Sequence, residues 1–182
     1  MALGALILIL AVAFVAQHLF PKGSQGLPKS LEPFAQGKKE ISVKVDSLSF
    51  CAEAPVAYTC DSRLPTVPKI SWESNVKPKS YAIVVVDPDA PIGNFYHLIV
   101  YNIPPSVHSW DGNVGTLGLN SANQPGWFPI CPPKGDRAHR YFFFVLALKV
   151  NSLPEGLTPN EFIKRIQGNV VAYGYTCLKY KR

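Results

Sequence analysis

The chain has 182 residues, 47% hydrophobic and 16% charged, with a formal charge of +6, which is enough for one domain with a sizeable core. Its Lys and Arg residues are scattered rather than clustered with interleaved aromatics, which argues against a nucleic-acid partner. The 17 prolines and 13 glycines imply many turns and short elements, favouring a β-rich fold over a helical bundle.

Positions 2–20 carry no formal charge and only Gln17 and His18 as polar interruptions, so a helix over them would be roughly 28 Å long and nearly cross a bilayer. Two readings compete. Ala11 and Ala13 offer small residues for cleavage of a signal peptide, which would leave a secreted domain; the lack of Lys or Arg before the apolar run favours an uncleaved anchor. The side of the membrane stays open. Lys22, Lys29, Lys38 and Lys39 follow the span, and a positive-inside count keeps them cytoplasmic, whereas a signal-anchor puts the domain outside. Residues 21–39 show little apolar periodicity and are expected to be a flexible linker, with the folded domain spanning 40–182.

In the domain, residues 40–47 alternate, with Ile41, Val43 and Val45 on one face. Short strands are expected at 69–72 and 81–86, the second a fully apolar run that ends abruptly in Asp87 and Asp89. FYHLIVYN (95–102) follows, stopped by Ile-Pro-Pro at 103–105. Residues 106–138 form a long Gly-, Asn- and Pro-rich excursion carrying Trp110, Trp127 and Phe128, and loops of that length are usually functional. HRYFFFVLALKV (139–150) is the most apolar strand. Residues 158–168 predict the one helix: Thr158 caps it, Pro159 suits its first turn, Glu161 completes a capping box, and Phe162, Ile163 and Ile166 form its stripe. A last strand covers 170–180.

Cys51, Cys60, Cys131 and Cys177 lack metal-ligand spacing. In an oxidising compartment Cys51 and Cys177, at the end of the first strand and within the last, are the favoured pair; four buried free thiols are the alternative.

Strand parity groups the chemistry. His97 shares a face with Phe95, Ile99 and Tyr101, and His139 and Tyr141 share one with Phe143 and Val145. If the starts of these two strands lie level with the end of the strand at Asp87, then Asp87, His97, His139 and Tyr141 converge at one rim. Such a set suits an anion bearing a hydroxyl or amine: imidazole and phenol donate to phosphate oxygens, while a carboxylate orients an imidazole or meets an ammonium. The turn in PPKGDRAH adds backbone N–H groups.

These residues resemble a known family. DPDAP (87–91), FYHLIVYNIP (95–104), CPPKGDRAHRY (131–141), YTCD (58–61) and Trp72 are similar to the phosphatidylethanolamine-binding protein family, in its bacterial and archaeal, Raf-kinase-inhibitor-like branch. The resemblance implies a mainly β fold of two antiparallel sheets with Greek-key connections and a short C-terminal helix. It implies a ligand site at Asp87, Asp89, Pro91, His97, Pro132, Pro133, Gly135, His139 and Tyr141, accepting phosphate, acetate or a phosphorylethanolamine head group without metal, cofactor or catalysis. Some family members inhibit serine proteases or regulate kinases, so a surface loop, 61–68 or 106–130, is a second candidate. A phosphate-ester hydrolase using the same pocket is a third. The chain departs from the family pattern at CDSRLPTVPKISW (60–72) and at Leu98, beside the pocket.

Overall fold

A computed structural model describes residues 26–182; the apolar segment 1–20 and its expected helix lie outside the described residues. The chain runs through a 3₁₀ turn (Lys29–Phe34), β1 (Lys38–Lys39), β2 (Ile41–Val45), β3 (Ala52–Glu53), a second 3₁₀ turn (Val56–Tyr58), β4 (Ile70–Ser74) and β5 (Ser80–Asp87). It continues through β6 (Phe95–Ile103), β7 (Ser109–Trp110), β8 (Thr116–Leu117), β9 (His139–Leu148), α1 (Pro159–Ile166) and β10 (Val170–Tyr180). Among the described residues no helix is long and apolar enough to cross a membrane.

Two sheets form. The larger runs β1-β10-β9-β5-β6-β8 with β3 also on β10, and the smaller runs β2-β4-β7. β5 lies at its centre, antiparallel to both β6 and β9. Every residue of β5 is buried, because the sheet is covered on both faces, which is why its sequence is a continuous apolar run. Tyr81, Ile83 and Val85, with Phe143 and Val145, pack against Ile41, Val45, Trp72 and Trp110 of the smaller sheet. Ala82, Val84 and Val86, with Phe142 and Phe144, lie beneath Leu31, Phe34, Phe162 and Ile166. The sheets approach so closely that a Cβ on Gly174 would meet the carbonyl of Ile41. The helix is capped as its sequence predicts: Thr158 Oγ1 accepts from the Glu161 amide, and the Glu161 carboxylate accepts from the Thr158 amide at 2.9 Å.

Three expectations need correction. The pairing is not wholly antiparallel, since β1 and β3 run parallel to β10. These dipeptides cover the edge of an eleven-residue strand that would otherwise present unpaired backbone groups. Residues 26–39 are not a loose linker: Leu31 and Phe34, three apart in the first turn, are fully buried on the sheet, each contributing about 2 kcal/mol. Gln36 accepts the Gly168 amide at 3.0 Å, and Gly37, at φ +75°, turns the chain into β1. All four cysteines are paired, Cys51 with Cys177 and Cys60 with Cys131, so the free-thiol alternative falls.

Candidate functional site

Antiparallel pairing brings the end of β5 beside the starts of β6 and β9, so Asp87, His97 and His139 meet at one rim. They line a cavity of about 360 Å³. Its remaining walls are largely apolar: Ala90, Pro91 and Ile92 on one side, Phe95 and Phe128 on another, and Cys131, Pro132 and Pro133 on a third.

The turn after β5 closes on itself. The Asp89 amide donates to Asp87 Oδ1 at 2.8 Å, an Asx turn that fixes both carboxylates. They then diverge in role. Asp89 accepts from Arg140 Nε at 2.8 Å, from Arg140 Nη2 at 2.8 Å, from the Arg140 amide at 3.0 Å and from Arg137 Nη2 at 3.0 Å. Burial would raise its pKa, but these bonds hold it at about 2. Asp89 thus clamps the turn onto β9 and does not line the cavity.

Asp87 is 3% exposed and accepts from His139 Nδ1 at 2.8 Å. His139 Nε2 donates in turn to Asp136 Oδ2 at 3.1 Å, so the ring lies between two carboxylates. Burial opposes its charge, yet hydrogen bonds to Asp87 and Asp136 raise its pKa above the ordinary value. Burial pushes Asp87 upward as well, against the pull of His139. Each ring nitrogen faces a carboxylate, and both hydrogen bonds favour the protonated ring.

His97 is held differently. β5 and β6 pair Val85 with Leu98 and Val86 with Tyr96, so His97 is the extra residue of a β-bulge. The bulge breaks the expected parity: Ile99 and Tyr101 pack on the helical side of the sheet, while His97 turns toward Tyr141, 5.2 Å away between ring centroids. Its ring also packs on Phe95 at 4.8 Å. Nδ1 donates to the Phe128 carbonyl at 2.9 Å, since a carbonyl can only accept. Burial lowers its pKa to about 4, which keeps the ring neutral and leaves Nε2 as an acceptor.

The remaining expected residues divide. Pro91, Pro132 and Pro133 line the cavity, whereas Gly135 and Tyr141 do not. Gly135, at φ +82°, forms the turn behind it and donates its amide to the Arg182 carbonyl at 3.1 Å. Tyr141 is fully buried; burial and then the Asp87 carboxylate beside it raise its pKa. Sequence reasoning missed Asp136, Arg137, Arg140 and the rest of the apolar wall, Ala90, Ile92, Phe95, Phe128 and Cys131. Only Asp136, three residues before His139 in an already suspect turn, had a legible signal. Among the described residues no group of three or more His, Cys, Asp or Glu is placed to hold a metal.

A family model described as phosphatidylethanolamine-binding protein matches residues 47–181. A UPF0098 protein of Aquifex aeolicus is 35% identical, over 82% of this chain and 93% of its own length. Another from Pyrococcus horikoshii is also 35% identical, over 80% of each chain. Among solved structures, a phosphatidylethanolamine-binding protein homolog from Chlamydia trachomatis superposes with a TM-score of 0.72 at 30% identity, covering 80% of this chain and 99% of that one. Escherichia coli YbcL, described as a member of the mammalian PEBP family, gives 0.71 at 26%, covering 79% and 99%.

Proposed function

This chain belongs to the phosphatidylethanolamine-binding protein family, and we propose that within it the protein binds small anionic or phosphorylated ligands at the β5–β6–β9 rim without catalysis. The observation that carries this reading is His139, both ring nitrogens held by carboxylates that raise its pKa, in the wall of a largely apolar cavity. Protonated, the ring attracts an anion inside apolar walls, in competition with the two carboxylates that flank it. His97 Nε2 and Asp87 add acceptors, so the favoured ligand joins an acidic oxygen to a hydroxyl or ammonium donor, as phosphorylethanolamine does.

Catalysis is left out on chemical grounds. A general base works best near neutral pKa, whereas His97 lies at about 4 and both His139 nitrogens are already hydrogen-bonded to carboxylates. The test is a phosphorylethanolamine titration of the full chain, following histidine ring resonances by NMR, with His139→Ala as control. Saturable shifts at His97 and His139, lost in the variant, are expected; no shift at millimolar ligand would remove this head group from the pocket.

One observation favours a second reading, binding of a serine protease or a kinase through a loop. Leu64 is 83% exposed on a segment braced at Cys60 by the disulfide and at Asp61 by Tyr180 and Arg182. Replacing Arg63 and Leu64 by Gly and Ser should then abolish partner inhibition while leaving ligand binding intact. We also propose that the domain works in an oxidising compartment, anchored through residues 2–20 or secreted after cleavage, since such a compartment is where disulfides form and persist in most organisms.

A further inference from the structure

An imidazole has two nitrogens, and both nitrogens of His139 are already engaged by the protein's own carboxylates, Asp87 at 2.8 Å and Asp136 at 3.1 Å. A ligand that takes a hydrogen bond from this ring must therefore displace one of them. We propose that Asp136 is an internal competitor for the anion site: its carboxylate holds the imidazole N–H that an incoming phosphate needs, and binding exchanges one for the other. The inference rests on the anion-pocket reading above.

The two carboxylates differ in how readily they yield. The Asp87 side chain is 5% exposed, sits at the end of a central strand, and has its second oxygen fixed by the Asp89 amide. The Asp136 side chain is 41% exposed and lies in a turn, so water can take over its hydrogen bonds when it leaves.

The backbone around Asp136 is anchored independently of His139. The Gly135 amide donates to the Arg182 carbonyl at 3.1 Å, the Asp136 amide to the Pro133 carbonyl at 3.3 Å, and the Arg137 guanidinium to Asp89 at 3.0 Å. Release of His139 thus needs rotation of one side chain, not opening of a loop. Asp136 Oδ1 also accepts the Arg137 amide at 2.8 Å, an interaction that an asparagine carbonyl can keep.

The consequence is a threshold on ligand chemistry. An acetate only repeats the bond that Asp136 makes, whereas a phosphate brings more charge and further acceptor oxygens. The affinity for a weak anion is then limited by the turn and not by the shape of the cavity.

The test is calorimetric titration of inorganic phosphate into the full chain and into Asp136→Asn, each in low salt and in about 1 M salt, where the screening length is about 3 Å. Asn leaves a neutral, weaker acceptor, so the variant should bind phosphate about tenfold more tightly, and the gain should survive high salt. Equal or weaker binding by the variant overturns the proposal while leaving the anion pocket standing. So does a gain that vanishes in 1 M salt, which would mark only the loss of a distant negative charge. If neither chain binds phosphate, the anion-pocket reading fails and the competitor falls with it. In the unmodified chain the side-chain carboxyl carbon signal of Asp136 should move in step with phosphate saturation; a stationary signal while phosphate binds also overturns the proposal, independently of how the variant folds.

Discussion

The starts of β6 and β9 each deliver one histidine to the same cavity, yet the pKa values of the two rings are pushed in opposite directions. His97, on its bulge, is packed among Phe95, Phe128 and Tyr141 and meets a neutral carbonyl, so burial dominates and the ring stays uncharged. His139 is as deeply buried but meets two carboxylates, and its pKa is raised. Burial alone does not decide the state of a histidine; the chemistry of its hydrogen-bond partner does. The pocket gains one donor and one acceptor from a single residue type.

The strongest way to break this contrast is to remove the carboxylate beneath His139. Asp87→Ala leaves a buried imidazolium without its inner partner and should cost about 3–5 kcal/mol in denaturant unfolding, with phosphorylethanolamine binding lost.

Stability against pH should show the two rings acting in opposite directions. The folded pKa of His97 lies below its unfolded value of 6.5, so the folded state binds fewer protons and stability falls as pH drops from 6.5 to about 4, by about 3 kcal/mol at about 1.36 kcal/mol per pH unit. The folded pKa of His139 lies above its unfolded value, so its contribution is complete below about 6.5 and is lost as pH rises through the folded value. Thermal melts across this range should pass through a maximum. A monotonic curve would show that the rings are not in opposite states.

His97→Phe sharpens the comparison, because it keeps the aromatic packing and orphans the Phe128 carbonyl. A loss of about 1–3 kcal/mol is expected, with the fall between pH 6.5 and 4 abolished and the alkaline loss intact. The smallest effect belongs to Gly135→Ala. No atom lies within 4 Å of the added Cβ, so only the strain at φ +82° is felt, about 1 kcal/mol in thermal stability.

Much of this was legible in the chain. The central strands announce themselves as apolar runs, since a strand covered on both faces has no polar side to show, and the Thr158–Glu161 box sets the start of the helix. Asp87, His97 and His139 converge because antiparallel strands level the end of one with the starts of its neighbours. The bulge at His97 was not legible, because it lacks a glycine or proline and arises from the register of pairing. The Cys60–Cys131 bond follows from the favoured Cys51–Cys177 pair only if all four cysteines are oxidised, which the sequence does not state. The first 3₁₀ turn offers only Leu31 and Phe34, too short a stripe to stand out from a polar segment. The roles of Asp136 and Arg140 depend on how the 132–137 turn folds back, which local sequence does not encode.

The packed stretch before β1 has a spatial consequence. Ser30 accepts the side-chain amide of Asn94 at 3.1 Å, on the same loop as Pro91 and Ile92 of the cavity wall. The mouth of the pocket is therefore stapled beside the point where the chain enters the domain. If residues 2–20 anchor the chain as proposed, a ligand confined to the same membrane would meet the pocket at a raised effective concentration, and a modest intrinsic affinity would suffice for its occupancy.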